Sequence, residues 1–187
     1  MSKNYQRKYL RAPFQQEVLF LDDGFTFKTQ GINISEGGIL LESAGHFPEK
    51  EKIQLMTLLS EFPLFKNFSL EKLKKYHEEA FPGRVIRFEG EMTRKFSSKM
   101  STDDKLLTNI GFEISKIKPF AQSKLAKYVE TMSSNLIYLL VLFDTLNDDP
   151  TNIQKLRLIS QHLGYPVNEK ISRLRLLVEH DYTSLKW

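Results

Sequence analysis

The sequence predicts an α+β chain: a six-stranded antiparallel β-barrel followed by a C-terminal helical extension. Three observations carry this reading. Six short segments of strand character fall between residues 14 and 114, and that many short strands favour closure into a barrel, which removes exposed edges. Helical signals take over from Pro119 onward. The 187 residues are 41% hydrophobic and 27% charged, which fits a domain with a real core plus an appendage and neither a disordered nor a fibrous chain.

The strands are placed as follows. Residues 14–21 form the first, and Asp23-Gly24 supplies the φ > 0 positions of a tight hairpin. Residues 25–29 alternate apolar and polar, the period of a half-buried strand. Residues 38–42, 52–58, 84–92 and 106–114 complete the set. Two insertions interrupt them. Residues 69–80 read as a helix capped by Ser69, with Leu70, Leu73, Tyr76 and His77 on one face and Phe81-Pro82-Gly83 ending it. Residues 96–104 read as a polar hairpin tip.

Beyond the barrel, Pro119 suits a helix start, and Leu125, Tyr128, Val129 and Met132 make one stripe. Residues 135–146 read as a second helix, apolar nearly all round. Asp149-Pro150 opens a third, with Ile153, Leu156, Ile159 and Leu163 inward and Gly164 and Pro166 as its stop. Asn168 caps a fourth, with Ile171, Leu174, Leu177 and Val178 inward and Arg173, Arg175 and Glu179 outward. The expected division is 1–132 for the barrel, its N-terminal arginine leader and a closing helix, and 133–187 for the helical extension. Because a helix apolar all round must be covered, the extension is expected to be a compact unit built around 136–143, packed on itself, on the barrel or on a second copy.

Several function classes drop out. Cysteine is absent, which removes disulfides and thiolate metal sites. The histidines, His46, His77, His162 and His180, lack ligand spacing, and His77-Glu78-Glu79 has no second histidine four residues on. No glycine-rich phosphate loop occurs, and Asp22-Asp23, Asp103-Asp104 and Asp148-Asp149 sit at turns, where aspartate serves the backbone. Phe25 and Phe27 are assigned to the core. No catalytic residue and no metal site is therefore expected, and the chain is not read as an enzyme. The apolar run 136–143 is far shorter than the roughly 20 residues a bilayer needs, and the opening MSKNYQRKYLRAPF is polar and basic. The expectation is a soluble, cytoplasmic protein without a membrane span. A net charge of +4 suits an anionic partner but is too mild to call for nucleic acid.

Two motifs remain. Arg7-Lys8-Tyr9-Leu10-Arg11 is an R-x-x-x-R just before the first strand, and Asn33-Ile34-Ser35-Glu36-Gly37-Gly38 is an N-x-S-x-x-G entering the third. Taken singly, the first is a solvated basic tail and the second a turn with a serine bonding its own backbone. Their order, with a hairpin between them, resembles the PilZ domain family, which carries R-x-x-x-R before its barrel and D/N-x-S-x-x-G after the second strand. Arg84-Val85-Ile86-Arg87 and Asn109-Ile110-Gly111-Phe112 are similar to the family's later strands. The resemblance covers about residues 5–130 and leaves out 133–187.

The resemblance implies a PilZ-type barrel and a receptor for the bacterial second messenger cyclic di-GMP, bound as a ligand with no cofactor. It implies ligand contacts from Arg7, Arg11, Asn33, Ser35, Gly37 and Gly38, with Lys8 adding charge near the phosphates. Residue chemistry agrees. Guanine presents O6 and N7 side by side, and a planar guanidinium forks onto that pair. Asn33 and Ser35 offer short polar groups, and the glycines leave room for close approach. The implied action is that ligand orders the Arg7–Arg11 leader against the barrel and changes a surface seen by a protein partner, with the C-terminal helices as the partner or self-association surface. The competing readings are a PilZ-fold interaction module that ignores nucleotides and a small-barrel nucleic-acid binder.

Overall fold

The structure is a computed structural model and describes residues 8–43, 46, 48–78, 83–100, 106–147 and 149–186. Seven strands run in chain order: β1 (Arg11–Pro13), β2 (Glu17–Asp22), β3 (Phe25–Ser35), β4 (Gly38–Ser43), β5 (Lys52–Ser60), β6 (Gly83–Met100) and β7 (Leu106–Ile117). The last six pair antiparallel in the cyclic order β2-β3-β4-β7-β6-β5, with β5 returning to β2, which closes a six-stranded barrel. Alternation drives the closure. Val18, Phe20, Ile34, Ile39, Leu41, Ile53, Leu55, Ile86, Phe88, Ile110 and Phe112 all point into one buried core. The β2–β3 hairpin turns at Asp23 and Gly24, both at positive φ (46° and 83°), the geometry an Asp-Gly pair provides.

Three strand expectations change. β3 is longer than 25–29 and contains Asn33 and Ser35, so the second motif begins inside that strand and enters β4 at Gly38. β6 continues to Met100, through the start of the expected 96–104 loop, because it stays paired with β7 as far as Leu106. Arg11 is not on a leader outside the barrel pattern but opens β1, which pairs with the end of β3.

β3 changes partner on one edge at a bulge between Gly31 and Asn33. Up to Gln30 it pairs with β2; beyond the bulge it pairs with β1. Gly31 makes the handover possible, since a Cβ there would run into the ring and carbonyl of Phe14. Phe14 is fully buried, and its N–H donates to Ile32 O at 2.9 Å.

Four helices follow or interrupt the strands: α1 (Leu70–Glu78), α2 (Pro119–Asp144), α3 (Pro150–His162) and α4 (Ile171–Lys186). Ser69 Oγ accepts from Lys72 N–H, as its position as a cap predicts, and Asp149 caps α3 through Thr151 N–H. Gly164 turns the chain after α3 at φ 89°. Where two helices were expected, around 125–132 and over 135–146, a single 26-residue helix runs through. No glycine or proline interrupts it after Pro119, and the polar Ser133-Ser134-Asn135 stretch is not a cap. Asn135 is buried and clamps the 3₁₀ turn Phe65–Asn67: its Nδ2 donates to Pro63 O (2.9 Å) and its Oδ1 accepts from Phe65 N–H (3.0 Å). The expected division at 132/133 therefore falls inside α2.

The helices beyond 133 pack on the rest of the chain as well as on α2. α3 packs on α1 and α2, with the His162 ring stacked on Phe65 at 5.3 Å. α4 packs on α2 and on β1, burying Leu174 and Val178. Arg175 ties α4 to the end of α2, meeting Asp144 at 2.8 Å and Glu179 at 2.7 Å. Two inward assignments were wrong. Leu177 lies on the open side of α4, and Phe25, at the hairpin tip beyond the reach of the core, is 68% exposed. Phe27 does pack against the core, its ring stacked at 3.6 Å on His46. The apolar stretch of α2 is covered on one side only: Leu136 and Leu139 are fully buried, while Ile137 and Val141 face out.

Candidate ligand-binding site

Register builds the site. Ala12, Ile34, Ile39 and Phe112 stand opposite one another across β1, β3, β4 and β7, and all four are buried. Side chains alternate between faces along a strand. The neighbouring rows therefore lie on the opposite face from that core row, Arg11–Ser35–Gly38–Glu113 on one side and Pro13–Asn33–Leu40–Gly111 on the other, with Ser35 itself covered. The two sequence motifs, 22 residues apart at Arg11 and Asn33, thus meet in adjacent rows of one surface. Arg11 lies directly opposite Ser35, and Ser35 directly opposite Gly38.

The individual residues divide into two groups. Arg11 and Asn33 are partly exposed side chains on this surface. Ser35 is largely buried and spends its hydroxyl locally, with Oγ donating to Gly38 O at 3.2 Å across the turn between β3 and β4. The glycines answer to protein contacts. A Cβ on Gly37 would lie 2.5 Å from the Tyr9 ring, and one on Gly38 would lie 2.6 Å from the carbonyl oxygen of Phe112. Lys8 is exposed, its Nζ 5.1 Å from the centroid of the Tyr9 ring. Arg7 lies outside the described residues.

Tyr9 was missed by reasoning from sequence. It sits between the motif arginines and lies on Gly37, and an aromatic inside R-x-x-x-R was the only available signal. Glu113 was missed too. It opposes Gly38 across β4 and β7, and Glu91 stands beside it on β6, ion-paired at 3.2 Å with Lys52 on β5, so Arg11 at β1 and Glu113 at β7 carry opposite charges along one row. An anionic ligand is drawn to the Arg11 end of such a row.

A cavity of about 260 Å³ lies elsewhere, lined by Glu61, Arg84, Lys124, Lys127, Tyr76 and Tyr128 among others, none of them in the motifs. Its carboxylate is already engaged. Glu61 meets Lys124 at 2.9 Å and Arg84 at 3.2 Å, and the Lys124 hydrogen bond foremost holds the carboxyl below its ordinary value. Among the described residues, no group of three or more His, Cys, Asp or Glu is arranged to hold a metal, and no helix is long and apolar enough to cross a membrane.

The PilZ domain family matches the chain over residues 5–130, a span that takes in both motifs and all six barrel strands. The chain belongs to the PilZ domain family. Among solved structures, this PilZ chain is similar to the Bacillus subtilis inhibitor of motility, MotI/DgrA, at 22% identity and a TM-score of 0.50, over 70% of this chain and 52% of that one. It therefore spans about half the length of that protein. It is also similar to the PilZ domain of YcgR from Escherichia coli, solved with c-di-GMP, at 12% identity and a TM-score of 0.44, over 67% of this chain and 90% of that one. Among curated proteins none matches in sequence. The PilZ match ends within α2, so α3 and α4 lie beyond it.

Proposed function

We propose that this PilZ chain is a cyclic di-GMP receptor without catalytic activity, working in the cytoplasm. The observation that carries the reading is the register that puts Arg11, Ser35 and Gly38 in one row across β1, β3 and β4, with Asn33 in the next. In this reading Arg11, with Arg7, forks onto guanine O6 and N7 or a phosphate, and Asn33 hydrogen-bonds a guanine edge. Lys8 adds positive charge. Ser35 and the two glycines shape the turn that the ligand rests on. Binding changes the surface around β1, which a protein partner or a second copy reads with the C-terminal helices.

Calorimetric titration tests this. Cyclic di-GMP should bind at micromolar affinity or better, and cyclic di-AMP should not, because adenine places a donor where guanine has O6. Arg11→Ala should weaken binding about tenfold to a hundredfold, the loss expected for one charge-assisted hydrogen bond. Arg11→Lys should also lose affinity for want of the fork. Equal binding of both dinucleotides would refute guanine reading. A nucleotide-blind interaction module is the second reading, favoured by Tyr9 lying on Gly37 and by Glu113 beside Gly38. Absence of any titration heat with cyclic di-GMP would select it.

A further inference from the structure

We infer that Tyr128, on α2, is a positioning residue for the ligand site: it holds β1, and with it Arg11, in register with β3. The inference rests on the reading of Arg11 as a ligand contact.

β1 is only three residues long and pairs with a single neighbour. So short an edge strand is marginal by itself. Pro13 further lacks an N–H to give to any ladder. What secures the strand comes from the helices. Tyr128 Oη donates to Pro13 O at 3.0 Å, and its ring meets Phe14 edge-on at 5.8 Å. Burial raises the Tyr128 phenol well above its ordinary value, so it stays a donor at every physiological pH. α4 packs on the same strand. Arg11 stands two residues before Pro13, and its place opposite Ser35 is set by this short register. A strand free to slip or fray would carry Arg11 off the row that holds Ser35 and Gly38. A one-residue slip would turn its side chain to the other face. Helices α2 and α4, mostly outside the strands that bear the motifs, thus govern whether the arginine is in place.

The coupling is reciprocal. If α2 stabilises the binding-competent register, ligand bound to that register stabilises the α2–β1 contact in turn. The C-terminal helices are then a readout of ligand built into the packing.

Tyr128→Phe in the full chain is the test, with Tyr165→Phe as its control. The control removes an equally buried hydroxyl, bonded to Asp181 at 2.7 Å, that does not bond to β1. Tyr128→Phe should weaken cyclic di-GMP binding about threefold to tenfold, the effect of one neutral hydrogen bond. It should also speed hydrogen exchange at the Phe14 N–H in the free protein. Tyr165→Phe should lower stability while affinity and Phe14 exchange stay as in the parent. Equal loss of affinity in both variants, or unchanged Phe14 exchange in Tyr128→Phe, would overturn the inference. If the parent chain fails to bind cyclic di-GMP, the ligand reading falls, and Phe14 exchange in the free proteins still decides whether Tyr128 positions the strand.

Discussion

At the scale of single residues, the glycines of the second motif are held by neighbours of different stiffness. Gly38 faces the carbonyl oxygen of Phe112, a backbone atom inside the barrel ladder that cannot move aside. Gly38→Ala should therefore cost about 1–3 kcal/mol of stability by overpacking, read as a lower urea midpoint. Gly37 faces the ring of Tyr9, a partly exposed side chain and not backbone, so Gly37→Ala should cost less than Gly38→Ala. The reverse ranking would contradict the geometry. Asp22 gives a pH signature. It is buried at the end of β2, where burial pushes its carboxyl up. The Glu49 N–H and the His46 ring at 3.1 Å outweigh that and leave it below the ordinary 3.8. Its stabilisation is complete above 3.8 and is lost as the pH falls through the lowered folded value. Urea midpoints should fall along that acid limb in the parent chain and fall less steeply in Asp22→Asn.

At the scale of elements, α2 is the organiser. It closes the barrel with Leu125, Val129 and Met132, clamps the 63–65 segment with Asn135, and holds β1 with Tyr128. Asn135→Ala should strand a buried N–H on Phe65 and a carbonyl on Pro63. The expected cost is about 1–3 kcal/mol for each group left unpaired, seen as a clear drop in thermal midpoint. Asn135→Asp should also destabilise, because its second oxygen would face the Pro63 carbonyl with no proton between them. A thermal midpoint unchanged in both variants would mean the clamp contributes nothing.

At the scale of the whole molecule, the question is whether the tail is separable. Truncation after Ser133 would remove Leu136 and Leu139, both fully buried, and the α4 surface that lies on β1. It would also bare Phe65, on which His162 stacks. The truncated chain should therefore be insoluble or aggregate instead of remaining a monomeric, ligand-binding barrel. A soluble, monomeric truncation with undiminished affinity for cyclic di-GMP would show a detachable output unit instead. Ile137 and Val141 on α2 are two of the large apolar side chains left exposed. Ile137→Lys and Val141→Lys, each made singly, should change stability by no more than about 0.5 kcal/mol, as expected of surface positions and read from urea midpoints.

The sequence by itself determined the barrel, its hairpin turn at Asp23-Gly24, the helix caps at Ser69 and Asp149 and the family, because period-two alternation, turn dipeptides and caps are local signals. The two motifs were legible as well, and the register places Arg11 opposite Ser35 and Ser35 opposite Gly38. Tertiary structure decided the rest. Whether Arg11 is a loose leader or a strand residue depends on Tyr128, whose phenol bonds a carbonyl 115 positions earlier in the chain. No local pattern encodes a contact of that range. Asn135 looked like the start of a second helix, and only the segment packed beside it shows that it is a clamp. Gly37 and Gly38 looked like room for a ligand, and packing adds a second reason for glycine there, since a Cβ would meet the Tyr9 ring and the backbone of β7. Local chemistry specifies which conformations a residue tolerates, whereas packing specifies which partner makes use of that tolerance.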